Sequence, residues 1–380
     1  MFKKLAIALG IASLAAVGTV SADSIKIGFN APLTGFAAAD GNSALKGAEL
    51  AVQQVNSAGG IHGQMLELVV YDDQASPKEA APLAVKLITK DEVVAGISGS
   101  YSGSTRAAAT IFQESATPYI SAYAVHPDIT RAGPFVFRTS FVGDVQGRAG
   151  AKLIGEVLGK KRVALITLNN DFGKSLAAGF KEKAAAFGIE ITGEYDYGIK
   201  DREFGPIVSK VKSDAPDAIY ASGYFFTAGP LVSQIRAAGI EVPIIGQEGY
   251  DGQKFIEIAG PASEGVLITT SLNRDSTDAT TRAFIDGFQA ATGNAADMVA
   301  ASAHTAVLVM SEALKKAGGT DKDALRQAIA ETSLTAATGN ISFNALGEVQ
   351  KDVQVQVVRD GSWHFHSIIS DAVLLAPPAE

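Results

Sequence analysis

Serine and glycine residues are concentrated in one short segment of the chain, residues 100–104, which reads Ser-Tyr-Ser-Gly-Ser. The segment follows an apolar run typical of a strand, residues 93–98, and it opens a pattern typical of a helix. Backbone amides at a helix N-terminus, together with the Ser102 hydroxyl, could bind a carboxylate. Serine is also a common N-cap residue, so Ser102 and Ser104 could instead cap the helix. The residues alone leave both interpretations open.

Other residues with catalytic or metal-binding chemistry do not form a recognisable constellation. The five histidines are scattered: His62, His126, His304, His364 and His366. His364 and His366 share one face of a predicted strand, but two imidazoles without a nearby carboxylate or third ligand make a poor zinc site. Residues 173–175 read Gly-Lys-Ser like the end of a P-loop, yet Leu168 stands where its first glycine belongs, and Ser100 occupies the first glycine position of a nucleophile elbow. We therefore predict no metal, no cofactor and no enzyme activity.

The composition is that of a globular protein of two-domain size. The chain has 380 residues, of which 47% are hydrophobic and 19% charged, and it contains no cysteine. These values exclude a disordered, a collagenous and a disulfide-stapled protein. The formal net charge of −8 does not indicate a surface rich in lysine and arginine, so we expect no nucleic-acid partner.

The first 22 residues have the pattern of a cleavable signal peptide. Lys3 and Lys4 precede an apolar run from Leu5 to Val17, and residues 20–22 supply the small side chains that signal peptidase reads. The apolar run is shorter than the roughly 20 residues that a membrane-spanning helix needs. Cleavage after residue 22 removes two lysines and takes the net charge from −8 to −10. We predict a mature protein that is soluble in the periplasm and that, lacking cysteine, carries neither a disulfide nor a lipid anchor on an N-terminal cysteine.

Two series of strand and helix patterns follow this segment. Apolar, β-branched runs predict strands in the first series at residues 25–30, 66–72 and 93–98, and in the second at 162–168, 190–197, 217–223, 242–246 and 265–270. Helical patterns separate these runs, which predicts a parallel sheet covered on both faces in each series. Residues 279–331 are mostly helical, and strand-like runs follow at 340–343, 353–358 and 363–369. Ligands bind beyond the carboxyl ends of such strands, so two facing lobes would close on a ligand held between them.

Eight segments, in order along both series, carry a resemblance to a known family. They are GFNAPLTG at 28–35, LKGAELAVQQVNSAGGIHG at 45–63, LELVVYDDQASPKEA at 66–80, SGSYSGSTRAA at 98–108, PYISAYAVHPDIT at 118–130, ALITLNNDFGKSLAAGF at 164–180, ASGYFFTAG at 221–229 and IIGQEGYD at 244–251. Together they resemble the periplasmic branched-chain amino-acid (Leu/Ile/Val) binding proteins of ABC transporters, over nearly the whole mature chain. The resemblance implies the type I bilobate fold, in which two doubly wound α/β lobes with parallel-rich sheets are joined by a three-crossing hinge.

The resemblance also implies lobe boundaries and a function. The N-terminal lobe would comprise residues 23–140 plus 273–351, and the C-terminal lobe residues 141–272 plus 352–380. The protein would capture an amino acid, branched-chain or related, by hinge closure and deliver it as a monomer to an ABC permease in the inner membrane. Two alternatives stay open: a binding protein or sensor of the same fold for an amide, urea, aromatic acid or basic or polar amino acid, and, more distantly, a secreted α/β enzyme.

Nine residues match positions that the resemblance assigns to the ligand site: Asp40, Tyr101, Ser102, Tyr123, Ala124, Val125, Phe172, Tyr224 and Glu248. Residues 123–125 would offer a backbone carbonyl to the ligand ammonium and a backbone amide to its carboxylate. Glu248 would oppose the ammonium from the second lobe, and Tyr224 would reach across from the same lobe. For Ser102 the resemblance favours a carboxylate contact over the helix cap.

Three of these residues depart from the family's pattern. Val125 stands where the family usually has a threonine, so it lacks the hydroxyl that also contacts the ligand. Phe172 stands where tyrosine is frequent, and it retains stacking without the hydroxyl. Asp40 takes the place of a residue that is commonly aromatic. Its carboxylate would favour a ligand side chain with a donor or a positive charge, or it would instead cap the following helix and point away from the cleft.

Overall fold

The computed structural model describes residues 24–379 of the chain, so the predicted signal peptide lies outside the described residues. The strands are β1 Ile25–Ala31, β2 Leu66–Asp72, β3 Ala95–Ser98, β4 Tyr119–Ser121, β5 Val136–Arg138, β6 Arg162–Leu168, β7 Glu190–Tyr197, β8 Ala218–Ala221, β9 Ile244–Gly246, β10 Leu267–Thr270, β11 Ser333–Ala336, β12 Gly339–Ser342, β13 Val353–Arg359 and β14 Ser362–Ile369. The α-helices are α1 Ala38–Ser57, α2 Pro77–Thr89, α3 Ser102–Glu114, α4 Gly143–Lys152, α5 Asp171–Ala184, α6 Gly205–Asp214, α7 Phe225–Ala237, α8 Gln253–Ala259, α9 Ala279–Thr292, α10 Met298–Ala317 and α11 Lys322–Ala330. Short 3₁₀ segments occur at Gly35–Ala37, Pro127–Ala132, Ala185–Phe187, Glu248–Tyr250 and Gly260–Ser263, and a π-helical turn at Leu153–Val157.

The first sheet has the strand order β2-β1-β3-β4-β5, and all its strands are parallel. Strand β3 is buried along its whole length, as expected for a sheet with helices on both faces. Helix α1 packs against α10, so the C-terminal helices return to this lobe. Gly47 allows the close approach, because a Cβ there would lie 2.1 Å from the carbonyl oxygen of Ala300. We call this sheet and its helices α1–α3 and α9–α11 the first lobe.

The second sheet has the strand order β14-β13-β10-β9-β8-β6-β7. Strands β6 to β10 are parallel, and β13 and β14 are added as antiparallel strands at one edge. With helices α4 to α8 this sheet forms the second lobe. Two α/β lobes with parallel-rich sheets confirm the predicted fold class.

Strongly patterned elements begin and end where the sequence predicts them, whereas two short or glycine-rich elements do not follow from the pattern. Strands β2, β6 and β7 coincide with the predicted runs. Strand β4 has only three residues, too few for an alternating pattern. Helix α4 contains three glycines in ten residues, which lowers its helix propensity. Glycine at position 147 nevertheless allows α4 and α5 to pack closely, because a Cβ there would lie 2.2 Å from the carbonyl oxygen of Leu176 in α5.

The chain passes between the two lobes three times. The connections are residues 139–142 after β5, 271–278 after β10, and 343–352 before β13. The third connection is tied to the first, because Lys351 Nζ donates a hydrogen bond to the Thr139 carbonyl at 2.9 Å. The residues at which the two lobes divide stay a prediction.

Candidate functional site

Loops at the carboxyl ends of parallel strands from both sheets meet between the lobes. In the first lobe, Ser102 begins α3 shortly after β3. In the second lobe, Phe172 lies in the first turn of α5 after β6, Tyr224 precedes α7 after β8, and Glu248 follows β9. This edge of an open parallel sheet is where ligands usually bind.

These loops enclose a cavity of about 20 Å³, close to the size that holds one water molecule. Its wall consists of Asp40, Tyr101, Ser102, Tyr123, Ala124, Phe172, Tyr224, Glu248, Gly249, Met298 and Val299. Eight of the nine residues predicted from the sequence therefore line it together. The ninth, Val125, lies directly behind the wall, and its backbone N–H donates to Ser102 Oγ at 3.3 Å. A ligand larger than the cavity requires the lobes or the lining side chains to move apart.

The serines of the loop before α3 do not cap the helix. The N-cap residue is Tyr101, no side chain makes a capping hydrogen bond, and Ser102 is the first helical residue. Ser104 Oγ is buried without a hydrogen-bond partner among residues 24–379. The helix-cap alternative is therefore wrong for both serines. Ser102 lines the cavity, and the first amides of α3 have no acceptor within the helix.

Residues 123–125 are held in place by hydrogen bonds from neighbouring elements. The Tyr123 hydroxyl donates to the Gly99 carbonyl at 2.6 Å. The Ala124 carbonyl accepts hydrogen bonds from Nη1 of the buried Arg138 at 2.8 Å and from the Ser121 hydroxyl at 3.2 Å. Because a carbonyl has two lone pairs, both acceptor positions of Ala124 are already occupied within the protein.

Aromatic rings from both lobes stack across the cavity. The rings of Tyr101 in the first lobe and Tyr224 in the second have centroids 4.0 Å apart and an interplanar angle of 10°. Phe172 continues the stack on the second lobe, with its centroid 4.8 Å from that of Tyr224. These contacts join the two lobes directly at the cavity.

Asp40 lies in the first turn of α1 and contributes its carboxyl group to the cavity wall. The N-cap of α1 is Ala37, so the alternative in which Asp40 caps the helix and points away from the cleft is wrong. The Tyr101 hydroxyl donates to Asp40 Oδ2 at 2.7 Å, while Oδ1 accepts no hydrogen bond from the described residues. Burial, with a smaller contribution from the charges of Asp297 and Asp251, raises the pKa of Asp40 to about 8. At neutral pH the group is therefore mostly a carboxylic acid, which can both donate and accept.

Glu248 presents a carboxylate oxygen that has no protein partner. The residue is 3% exposed, and the Ser271 hydroxyl donates to its Oε1 at 2.6 Å. Its Oε2 is buried and makes no hydrogen bond within residues 24–379. Burial raises the pKa of the Glu248 carboxyl, and the positive charge of Lys351 opposes that rise. An unpaired buried oxygen is costly, so this position favours a ligand that supplies a donor, above all a cation.

The sequence interpretation missed four residues at or near the cavity. Met298 and Val299 begin α10 and line the wall, although no motif marks them. Gly249 follows Glu248, and a Cβ there would lie 2.1 Å from the Gly223 carbonyl oxygen, so only glycine fits. Lys351 is 7% exposed in the third connection and packs 5.0 Å from the centroid of the Phe141 ring. In the sequence, Lys351 stands between the polar residues Gln350 and Asp352, so no local pattern marks it as part of the site.

The described part of the chain contains no group of three or more histidine, cysteine, aspartate or glutamate residues that could hold a metal ion. Asp275 Oδ2 does lie 3.4 Å from His364 Nδ1, so the expectation that no carboxylate is near that histidine was wrong. Within residues 24–379, no helix is long and apolar enough to cross a membrane.

Comparison with known sequences gives a match over most of the chain. The model of a family described as periplasmic binding protein matches residues 24–362. The chain is 31% identical over 344 residues to the leucine-, isoleucine-, valine-, threonine-, and alanine-binding protein of Pseudomonas aeruginosa, covering 90% of this chain and 91% of that relative.

Solved structures give the same result. The branched-chain amino acid transporter substrate binding protein of Streptococcus pneumoniae in complex with isoleucine superposes with a TM-score of 0.87 at 29% identity, covering 91% of this chain and 99% of that chain. A solute binding protein of an ABC transporter from R. palustris in complex with benzoate has a TM-score of 0.84 at 27% identity, covering 91% of this chain and 96% of that chain.

Proposed function

Because the chain belongs to the family of periplasmic binding proteins, we propose that it is the substrate-binding protein of an ABC importer. It captures an amino acid, branched-chain or related, between its two lobes and delivers it to a membrane permease. The names of the similar proteins support this assignment: one binds leucine, isoleucine, valine, threonine and alanine, and one was solved with isoleucine. Members of this family bind solutes, and we propose no catalytic role for this chain.

The observation that carries the proposal is the unpartnered Oε2 of Glu248. An α-ammonium group at this oxygen would form a charge-assisted hydrogen bond, which is about twice as strong as a neutral one. It would also relieve the cost of a buried acceptor that the protein itself leaves unsatisfied. A ligand that bears only a carboxylate offers no such partner.

The opposite end of an amino acid is a carboxylate, and the first turn of α3 has the matching chemistry. The Ser102 hydroxyl accepts a hydrogen bond from the Val125 amide and so keeps its own proton to donate. The free amides at the start of a 13-residue helix add their positive end to the same side of the cavity. Residues Ser102 and Glu248 come from different lobes, so the ligand can satisfy both only when the lobes are closed.

Lobe closure follows from this division of contacts. A ligand shifts an equilibrium between open and closed forms by its difference in affinity for the two forms. The stacked rings of Tyr101 and Tyr224 come from different lobes, so they add a contact that opening of the lobes would break. We propose that ligand capture is coupled to closure in this way.

An aromatic carboxylate is the second candidate ligand, because a protein of 27% identity was solved with benzoate and the cavity is bordered by flat rings. The carboxylate of Glu248 disfavours it, since an aromatic carboxylate would lie close to a buried acid and offers no donor to the unpartnered Oε2.

Titration calorimetry with the Glu248→Gln variant tests the proposal. The proteinogenic amino acids are screened first by thermal shift, and the tightest binder is compared with its des-amino analogue. Glu248→Gln keeps the side-chain volume and removes the charge, so we expect the amino acid to bind about 10- to 100-fold more weakly. The des-amino analogue should lose little.

Glu241→Gln is the matched control, because Glu241 is an exposed glutamate just before β9 and its replacement makes the same change of charge. Binding of aromatic acids without any amino acid would favour the second candidate. Unchanged amino-acid affinity in Glu248→Gln would remove Glu248 from the site.

Periplasmic export through the signal peptide of residues 1–22, a monomeric state and an ABC permease partner belong to the same proposal. The family's description supports the compartment. N-terminal sequencing of the exported protein tests cleavage after residue 22, and sizing chromatography tests the monomeric state.

A further inference from the structure

Asp40 contributes a carboxyl group to a cavity wall that also contains apolar side chains. Met298 and Val299 at the start of α10 line the same cavity, and neither side chain can donate a hydrogen bond. Asp40 as a whole is only 8% exposed.

Tyr101 fixes the orientation of this carboxyl. Its hydroxyl donates to Asp40 Oδ2 at 2.7 Å, and its ring is held by stacking on Tyr224 and by an edge contact with Tyr123 at 6.5 Å between centroids. One oxygen of Asp40 is thereby occupied, and Oδ1 is left for another partner. The orientation is set by the first lobe and by closure, not by the ligand.

An aliphatic side chain and a polar one of equal shape have opposite effects on Oδ1. An aliphatic group would cover Oδ1 and leave it unpaired in a dry site, which costs the full desolvation of that oxygen. A hydroxyl or carboxamide would complete its hydrogen bonding. Sites built around a buried hydrogen-bonding group reject analogues that lack the matching group far more strongly than apolar pockets reject an added methylene.

We propose that Asp40, oriented by Tyr101, makes this site selective for amino acids whose short side chain carries a hydroxyl or carboxamide over aliphatic amino acids of the same size. This inference rests on the proposed function, since it concerns the side-chain end of the same ligand.

The protonation of Asp40 supports a neutral polar group over a cationic one. Burial keeps the carboxyl mostly protonated at neutral pH, and Asp251 and Asp297 are the acidic groups that act on it from neighbouring elements. A carboxylic acid can donate to a carboxamide oxygen or accept from a hydroxyl. A cationic side chain would instead require this acid to release its proton.

Calorimetry with isosteric pairs of amino acids tests the inference on the wild-type protein. Threonine and valine have the same shape, as do asparagine and leucine, and each pair differs only in polar groups. We expect threonine to bind about tenfold or more tightly than valine, and asparagine than leucine. Equal affinity within each pair, or tighter binding of valine and leucine, would overturn the inference while the proposed function stands. Failure of every α-amino acid to bind would overturn both.

Variants at position 40 identify the residue responsible. Asp40→Leu should reverse the preference within each pair, and Asp40→Asn, which keeps a polar group, should retain it. Asp323→Leu is the matched control, because Asp323 is an exposed aspartate in the first turn of α11. If Asp40→Leu weakens all amino acids by the same factor, Asp40 contacts the common part of the ligand and the inference is wrong. The affinities of the wild-type protein for the paired amino acids test the inference without any variant, so poor folding of Asp40→Leu does not prevent the test.

Discussion

At the scale of single residues, the cavity is defined by two buried acids that are each held by one hydroxyl. Tyr101 donates to Asp40 and Ser271 donates to Glu248. Burial raises the pKa of both carboxyls towards the neutral range, so the charge of a bound ligand can change their protonation. The ligand's ammonium should therefore alter proton uptake by the protein.

The pH dependence of binding follows from the raised pKa of Glu248. An ammonium group binds the ionised form better, so binding lowers this pKa and releases protons over the range in which the free carboxyl is still protonated. We expect affinity to fall as the pH is lowered from about 8 to about 5.5, by up to tenfold per unit once Glu248 is protonated in the free protein. Calorimetry in two buffers with different ionisation enthalpies measures the released protons. A flat profile, with no proton release, would contradict the role of Glu248, and Glu248→Gln should itself give the flatter profile.

At the scale of elements, helices α3 and α5 face each other across the cleft and are joined by an ion pair. Arg106 Nη2 of α3 lies 3.0 Å from Asp171 Oδ2 of α5, next to a second contact with Asp128 of the first lobe at 3.6 Å. The side chains of Arg106 and Asp171 are 42% and 32% exposed. An ion pair this exposed is worth less than about 1 kcal/mol, and salt screens it.

Replacing this ion pair should weaken binding slightly, because the pair forms only when the lobes are closed. We expect Arg106→Gln and Asp171→Asn each to lower affinity about two- to fivefold, with the double variant no weaker than the single ones. Calorimetry at low and high salt provides the measurement, and high salt should remove the difference between wild type and variants. Fully additive effects would indicate that the two side chains act independently of each other.

At the scale of the whole molecule, residues of the connections between the lobes interact with the ligand site and with one another. Ser271 of the second connection donates to Glu248, and Lys351 of the third donates to Thr139 of the first. Burial lowers the pKa of the Lys351 ammonium, and the charge of Glu248 opposes that effect. The charges of Glu248 in the site and of Lys351 in the third connection thus affect each other's protonation.

Removing the charge of Lys351 should shift the pH profile of ligand binding. Without that charge the carboxylate of Glu248 loses the cation that favours its ionised form, so its pKa rises further. We expect Lys351→Met to move the fall in affinity to higher pH, whereas Lys200→Met, at an exposed lysine, should leave the profile in place. The measurement is the dissociation constant as a function of pH for both variants. An unshifted pH profile in Lys351→Met would show that the charge of Lys351 does not affect the ionisation of Glu248.

Much of the fold is readable from the chain because long periodic segments carry their own signal. The strands at 66–72, 162–168 and 190–197 coincide with β2, β6 and β7, since their apolar runs are bounded by helical patterns. Strand β4 is too short to show a pattern, and α4 is a helix because its glycines let α5 approach closely. Tertiary packing determines that β4 is a strand and α4 a helix, and a local sequence pattern carries no information about that packing.

The sequence by itself determined the order of elements, the two-lobed class and which loops end beside one another, because these depend on hydrophobic periodicity and on motifs within single segments. It also determined most of the cavity wall, through the resemblance. Only the tertiary structure decided that Asp40 turns towards Tyr101, that the serines of α3 are not caps, that Glu248 keeps one oxygen unpaired, and that Met298 and Lys351 belong to the same region. The physical reason is that the hydrogen bonds of this site join residues far apart in the chain, such as Asp40 and Tyr101, whose pairing exists only after the first lobe has folded.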